Sequence, residues 1–304
     1  MVSLEKKRIA GHIMKCFSNE KYFLADRIDL EVRTLENSSG GKWNVDLYLE
    51  RIGMERPEKP DRAYLDRLVE SHLIHIPFEA LDLYTGRAEI SQNLDVLFEK
   101  VVLNKRGGYC FELNKLFQFL LKSLGYDTYP CVCRVQRGEE ASRGITHRGN
   151  IVRLEGSRFF CDVGFGSAIS RGALELVPDV RQKTGTDVLW FEPYGEYWFD
   201  LFHLPQDLVN EDGRITRGQA MRELRICIAE AEEQDYEIFN AITSGPNAVF
   251  RKMLMVGRMT EDGTMSINAD KIFSRVTGNR KIHRQLKDDA ELWRVLEENF
   301  GIVL

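Results

Sequence analysis

Cys110 stands in the run Arg106-Gly107-Gly108-Tyr109-Cys110-Phe111-Glu112-Leu113-Asn114, where a glycine pair leads into an apolar helical pattern. The first turn of a helix offers unpaired N–H groups and the positive end of the helix dipole. Both favour a thiolate, which is the nucleophilic form of cysteine. Downstream lie a candidate base, His147 in Thr146-His147-Arg148, and a candidate orienting acid, Asp162 in Cys161-Asp162-Val163-Gly164-Phe165-Gly166. Cysteine, histidine and aspartate in that order point to nucleophilic acyl transfer. In this reading the resting pair is thiolate and imidazolium, and Asp162 fixes the ring and stabilises its positive form. The oxyanion formed on attack needs donors, and the backbone N–H groups of Cys110 and of the turn at Gly108 and Tyr109 are the expected ones.

Other chemistry-bearing residues carry weaker signals. Cys131, Cys133 and Cys161 with His147 lack the paired cysteine spacing of a zinc site, and strand alternation turns those thiols inward, so no metal is expected. His72 and His75 are three apart on a helix with no third ligand in reach and read as packing or surface groups. The remaining histidines, 12, 203 and 283, carry no site signal.

Hairpin arithmetic tests whether the histidine and aspartate can meet. Residues 145–154 and 158–163 read as strands around Glu155-Gly156. With those two residues as the loop, Leu154 pairs with Ser157, His147 faces Gly164 and Asp162 faces Gly149. His147 and Asp162 then share one face as diagonal neighbours, with backbones roughly 7–8 Å apart. A slip of one residue would put them on opposite faces.

The positioning elements follow from periodicity. Val45, Leu47, Tyr48 and Ile52 form one helical face; Tyr64, Leu65, Leu68 and Leu73 a second; Leu94, Leu97, Val101 and Val102 a third. The cysteine helix buries Leu113, Leu116, Phe117, Leu120, Leu121 and Leu124, and Gly125 stops it. After Gly125 the period becomes two, as in Tyr129, Cys131, Cys133 and Val135. The expected fold is α+β: an extension over residues 1–41, a helical bundle carrying the nucleophile over 42–125, a closed or nearly closed antiparallel β-barrel over 126–230, and an α/β lid over 231–304. Within the lid, helices are expected over 232–241 and 286–300 and a short strand over 252–256.

The bulk numbers set limits. A chain of 304 residues with 43% hydrophobic and 29% charged residues is an ordinary globular composition. A formal charge of −5, with no basic face interleaved with aromatics, gives no reason to expect nucleic acid. No apolar run approaches the ~20 residues needed to span a bilayer. Six cysteines without a signal peptide suggest free thiols in the cytoplasm.

Five separated segments resemble the arylamine N-acetyltransferases: Ile76-Pro77-Phe78-Glu79 followed by Leu81; Arg106-Gly107-Gly108-Tyr109-Cys110 with Glu112 and Asn114; Thr146-His147; Asp162-Val163-Gly164-Phe165-Gly166; and Ser244-Gly245-Pro246-Asn247-Ala248-Val249-Phe250 with Arg258. The resemblance implies a bundle, barrel and lid, with acetyl-coenzyme A as donor and an arylamine, arylhydrazine or arylhydroxylamine as acceptor. It implies Cys110 as the acetylated nucleophile with His147 and Asp162 as its partners. Phe78 and Phe165 match positions lining the acceptor pocket. Gly166 and the loop residues Ser244, Gly245, Asn247 and Phe250 match the coenzyme site. The chain departs from the family pattern at Ala80, where asparagine is usual, and at Asn247, where serine or threonine is usual. Two alternatives share the same three residues: an amide synthase using a larger acyl chain, and a papain-like cysteine hydrolase in which water replaces the amine.

Overall fold

The change from helical to alternating periodicity at Gly125 marks a real boundary in the computed structural model, which describes residues 43–138, 144–166 and 169–304. The extension expected over 1–41 lies outside the described residues. The chain first builds α1 (Val45–Arg51), α2 (Arg62–His75), strand β1 (Phe78–Glu79), α3 (Leu81–Thr85), α4 (Leu94–Phe98) with a π-helical turn to Leu103, and α5 (Cys110–Ser123). The Asp61 carboxylate accepts from the Tyr64 N–H at 2.7 Å and starts α2. Pro77, whose preceding residue is pushed to an extended conformation, follows its end. The expected inner face of α1 is rotated: Leu47 is 40% exposed, while Tyr48, Leu49 and Ile52 are buried. Helix α5 is covered on nearly every side, because the other helices pack on one flank and the barrel on the other.

The chain then alternates through β2 (Asp127–Val135), β3 (His147–Leu154), β4 (Ser157–Cys161), β5 (Leu174–Glu175), β6 (Gln182–Thr184), β7 (Asp187–Tyr194) and β8 (Trp198–Leu204). Strands β9 (Leu208–Asn210) and β10 (Ile215–Thr216) leave for a second sheet, and β11 (Met221–Cys227) returns. The first sheet runs β5-β4-β3-β2-β11-β8-β7-β6, antiparallel throughout. Its edges meet through one side chain. The Glu175 N–H donates to Gln182 Oε1 at 2.8 Å, and Gln182 Nε2 donates to the Glu175 carbonyl at 2.8 Å. The sheet is thus a nearly closed barrel around Tyr129, Cys131, Cys133, Ile151, Phe191 and Leu224. Val132, on the opposite side of β2, packs against the Cys110 cluster.

After helix α6 (Glu233–Ser244), the chain adds β12 (Val256–Thr260), β13 (Gly263–Ile267), β14 (Ile272–Thr277), β15 (Arg280–Gln285) and α7 (Asp289–Phe300). The second sheet runs β1-β12-β13-β14-β15-β9-β10, with α7 packed on its apolar face through Leu292, Val295, Leu296 and Phe300. The strand expected over 252–256 begins only at Val256, because residues 249–251 form a 3-10 turn. Strand β1 pairs Phe78 with Gly257 and so stitches the helical region to the lid sheet.

The glycine turn before Cys110 passes under β1, where the Glu79 N–H donates to the Gly108 carbonyl at 2.9 Å. A Cβ on Gly107 would sit 2.0 Å from the Pro77 carbonyl oxygen and 2.8 Å from Glu79 Cγ. Gly107→Ala is therefore expected to destabilise the protein by about 2–3 kcal/mol. The measurement is the denaturant midpoint at unchanged slope; a wild-type midpoint would show that the turn relaxes without cost.

Candidate active site

Cys110 is the first residue of α5, 3% exposed, with its Sγ 3.8 Å from the Thr146 carbonyl. Behind it a buried ionic network fixes the turn. Arg106 bonds Glu79 Oε1 from Nε at 3.0 Å and from Nη2 at 2.8 Å, and reaches Asp82 at 3.2 Å. Lys100 bridges Asp82 at 2.7 Å and Glu112 at 2.9 Å. Burial raises the pKa of Glu112 against the pull of Lys100. Burial opposes the Lys100 charge, but Glu112, Glu79 and Asp82 outweigh it and raise that pKa.

The hairpin register is the one the turn chemistry predicts. Leu154 pairs with Ser157 and Asn150 with Cys161, and Glu155 and Gly156 both take the positive φ that a tight two-residue turn requires. The ladder ends at Cys161, and the chain turns so that Asp162 reaches His147: Nε2 lies 2.6 Å from Asp162 Oδ2. The Cys110 sulfur acts electrostatically on the same ring. Burial alone would disfavour the imidazolium, but Asp162 and the Cys110 sulfur overcome it and raise the His147 pKa to about 10. The three residues at 110, 147 and 162 are thus brought together.

Asn114 connects all three and was not singled out as a site residue on sequence grounds. It lies one turn along α5 from Cys110, fully buried. Its Nδ2 donates to Asp162 Oδ1 at 2.8 Å and to the Arg148 carbonyl at 2.6 Å, while its Oδ1 accepts from the Val163 N–H at 3.0 Å. Gly164 N–H also donates to Asp162 Oδ1, at 2.9 Å. Gly164 is forced by the same contacts, since a Cβ there would lie 2.7 Å from both Asn114 Nδ2 and Cys110 Cα. The available signal was spacing: Asn114 is four residues from Cys110 and so lies on the same face of the helix.

Two expectations need correction. The Tyr109 N–H is bonded to Glu112 Oε2 at 3.0 Å and the Gly108 N–H to the Pro77 carbonyl at 3.4 Å, so neither backbone donor is free for an oxyanion. Both are spent closing the turn, which leaves the Cys110 N–H as the donor at that site. Ser244 is likewise buried, and its hydroxyl donates to the Asn240 carbonyl at 2.8 Å rather than facing a ligand. Tyr109 is buried with its hydroxyl on Asn240.

Of the remaining predicted residues, Phe78, Phe165 and Gly166 line a cavity of about 360 Å³, while Gly245, Asn247 and Phe250 lie outside its lining. The Phe165 ring stands edge-on to His147 at 5.5 Å. Phe250 packs against Phe78 at 6.0 Å and Tyr109 at 5.7 Å. Gly166 is pressed between elements: its carbonyl oxygen would lie 2.3 Å from a Cβ on Gly257, and its own Cβ would sit 2.9 Å from the Phe78 ring. Gly245 and Asn247 lie in the turn after α6, Asn247 exposed. Arg251 Nε donates to the Ser244 and Gly245 carbonyls at 3.0 and 3.1 Å and so closes the end of α6. His72 is a core residue, bonded to the Tyr48 hydroxyl at 3.1 Å, with burial lowering its pKa to about 3. Among the described residues no cluster of histidine, cysteine and acidic side chains could hold a metal ion.

Because His147 gains its proton affinity on folding, its pairing with Asp162 contributes fully below the unfolded pKa of about 6.5 and is lost as pH rises through about 10. Asp162→Asn should flatten the fall in stability between pH 7 and 10, read by denaturation across that range; an unchanged slope would place the titration elsewhere. Asn114→Ala should slow Cys110 modification by a thioester about 10- to 100-fold at pH 7 and shift its pH profile. A wild-type rate and profile would show that Asp162 holds its position without it.

The family model described as N-acetyltransferase matches residues 61–304. The Escherichia coli arylamine N-acetyltransferase is 32% identical over 78% of this chain and 82% of its own length. A Salmonella typhimurium arylamine N-acetyltransferase / N-hydroxyarylamine O-acetyltransferase is 29% identical over 84% of this chain and 87% of its own. The Nocardia farcinica arylamine N-acetyltransferase structure superposes with a TM-score of 0.75 at 27% identity, covering 88% of this chain and 92% of that one. A buried Cys–His–Asp arrangement at a helix start, on a chain that matches these proteins over most of its length, makes it a member of the arylamine N-acetyltransferase family.

Proposed function

We propose that this protein transfers an acetyl group from acetyl-coenzyme A to an arylamine, arylhydrazine or arylhydroxylamine through a thioester on Cys110. The observation that carries the reading is the 2.6 Å bond from His147 to Asp162, with the Cys110 sulfur acting electrostatically on the same ring. The Cys110 thiolate attacks the thioester carbonyl, and the Cys110 N–H receives the developing oxyanion. The carbon–sulfur bond to coenzyme A breaks and His147 supplies a proton to the departing thiolate. The amine then attacks the acetyl-cysteine, His147 takes its proton, and the Cys110 thiolate leaves. Asp162 holds the ring throughout, and Asn114 acts through Asp162 as a positioning residue.

Phe78 and Phe165 form the apolar wall for the acceptor ring. Gly166, Gly245, Asn247 and Phe250 line the approach of the coenzyme; Gly166 fits that role because no side chain is tolerated against Phe78. The covered sulfur favours transfer over hydrolysis, because a thioester shielded from water survives until the amine arrives. All five described cysteines are free, which suits a reducing cytoplasm. No helix among the described residues is long and apolar enough to cross a membrane.

Intact mass after mixing with acetyl-coenzyme A alone should show one added acetyl group, lost on adding an aniline and absent in Cys110→Ser. Transfer by that variant should fall at least about 10³-fold. An unmodified wild-type mass, or transfer that persists without the sulfur, would overturn the reading. A longer acyl donor loading faster than acetyl would identify an amide synthase instead, and rapid discharge to water a hydrolase.

A further inference from the structure

His147 is the first residue of β3, and strand ends are where a ladder is least restrained. On one side it pairs with Cys133 of β2. On the other side the ladder to β4 begins only at Asn150, so residues 147–149 have no strand partner there. Asp162 holds the ring tip, and Asn114 holds the Arg148 carbonyl. Successive strand residues point to opposite faces, so the Arg148 side chain leaves β3 on the face away from the His147 side chain.

That side chain is fully buried and bonded to two helices. Its Nη2 donates to Gln118 Oε1 of α5 at 2.6 Å and to Glu233 Oε1 at 2.7 Å, and its Nη1 donates to Glu233 Oε2 at 3.1 Å. The guanidinium also lies 4.5 Å from the centroid of the Tyr236 ring. Glu233 and Tyr236 both stand in the first turn of α6. Helix α6 is in turn fixed beside the nucleophile, because the hydroxyl of Tyr109 donates to Asn240, about two turns further along. One helix thus receives the chain neighbours of both the sulfur and the imidazole.

A buried guanidinium is a poor way to fill this space for stability alone. The desolvation of its charge is only partly returned by a carboxylate that stays 42% exposed and is shared with Lys115. Arg148 Nε and Gln118 Nε2 find no partner among the described residues. An apolar side chain of similar length would pack on Tyr236 without these costs. What the guanidinium adds is direction: a planar fork bonded to α5 and α6 at once fixes where the peptide between residues 147 and 148 lies.

We propose that Arg148 is a positioning residue for His147, anchoring the first peptide of β3 on α5 and α6 so that the imidazole keeps both Asp162 and the Cys110 sulfur within reach. Arg148 touches neither substrate nor reacting atoms and acts through the backbone it shares with His147. The proposal rests on the thiolate–imidazolium pair of the acetyl-transfer reading above.

The test is the pH profile of Cys110 alkylation by iodoacetamide, with the labelled residue identified by peptide mass; it needs neither coenzyme nor amine. In the wild type the rate should persist down to about pH 6, because the paired sulfur stays ionised there. Arg148→Met, which keeps the packing on Tyr236, should lower the rate at that pH about tenfold and move the profile toward that of an ordinary thiol. Glu233→Ala alters a half-exposed residue and keeps the test open should the first variant fold poorly; it should move the profile the same way by about threefold. The double variant should fall no further than Arg148→Met alone, since both changes remove one anchor. Rates are taken per folded molecule, with the folded fraction from denaturant unfolding. A wild-type profile in both single variants, whatever their denaturant midpoints, overturns the proposal and leaves Arg148 a structural residue. A double variant that is slower by the product of the two single effects also overturns it, because Glu233 would then act independently. A wild type that alkylates like an ordinary thiol overturns it together with the acetyl-transfer reading on which it rests.

Discussion

A carboxylate removed from water has to find donors for its oxygens, and the way Asp162 finds them organises the catalytic end of this protein. One oxygen takes the Asn114 amide and the Gly164 N–H; the other takes the His147 ring. The division of labour matters, because an Oδ1 already filled by two donors leaves Oδ2 for the imidazole alone. Asn114 sits on the nucleophile's own helix and also bonds the backbone of β3 beside His147 and the Val163 N–H beside Asp162. Helix, hairpin strand and strand exit are thus indexed to each other by one buried amide. Partly satisfied, such a network would cost more than an apolar core; satisfied throughout, it permits one arrangement.

The turn that delivers Cys110 depends on a second buried network of the opposite kind. Glu79, Asp82 and Glu112 surround Lys100 and Arg106, and all but Glu112 come from short elements or turns. Buried ion pairs are weak sources of stability but severe when broken. Their role here is positional. Glu79 also receives the Leu81 N–H and starts α3, where Ala80 supplies no capping side chain. Glu112 closes the cysteine turn by taking the Tyr109 N–H. The same carboxylate that secures the turn removes a backbone donor from the oxyanion site, so rigidity at residue 109 and charge stabilisation at residue 110 draw on adjacent groups.

Much of this was legible because it is local. Glu155-Gly156 predicts a two-residue turn, and that turn sets the hairpin register as far as Cys161, next to Asp162. The cysteine helix announces itself through its apolar spacing. What the sequence could not show is which polar groups are already engaged. Asn114 on a helix looks like any polar interruption until the sheet against which it packs is known. The N–H groups of Gly108 and Tyr109 look free until Glu112 and Pro77 are placed around them. Ser244 reads as a loop residue, yet it ends a helix and turns inward to Asn240. The lid sheet was harder still, because β15 alternates among charged and exposed residues and β1 is two residues long. Their pairing is decided by partners far along the chain, as when Phe78 meets Gly257.

Those distant pairings explain why a lid is needed at all. The barrel and helices already hold the sulfur beside the imidazole, but they leave Phe78, Val163 and Phe165 with an open flank. Strands β12 and β13 cover it, and the close approach at Gly166 and Gly257 lets the lid backbone reach the barrel without side chains between them. The result is a cavity whose floor belongs to the triad segments and whose roof belongs to a sheet built from both ends of the described chain. The roof can therefore vary its side chains while the buried amide, carboxylate and imidazole beneath it stay in register.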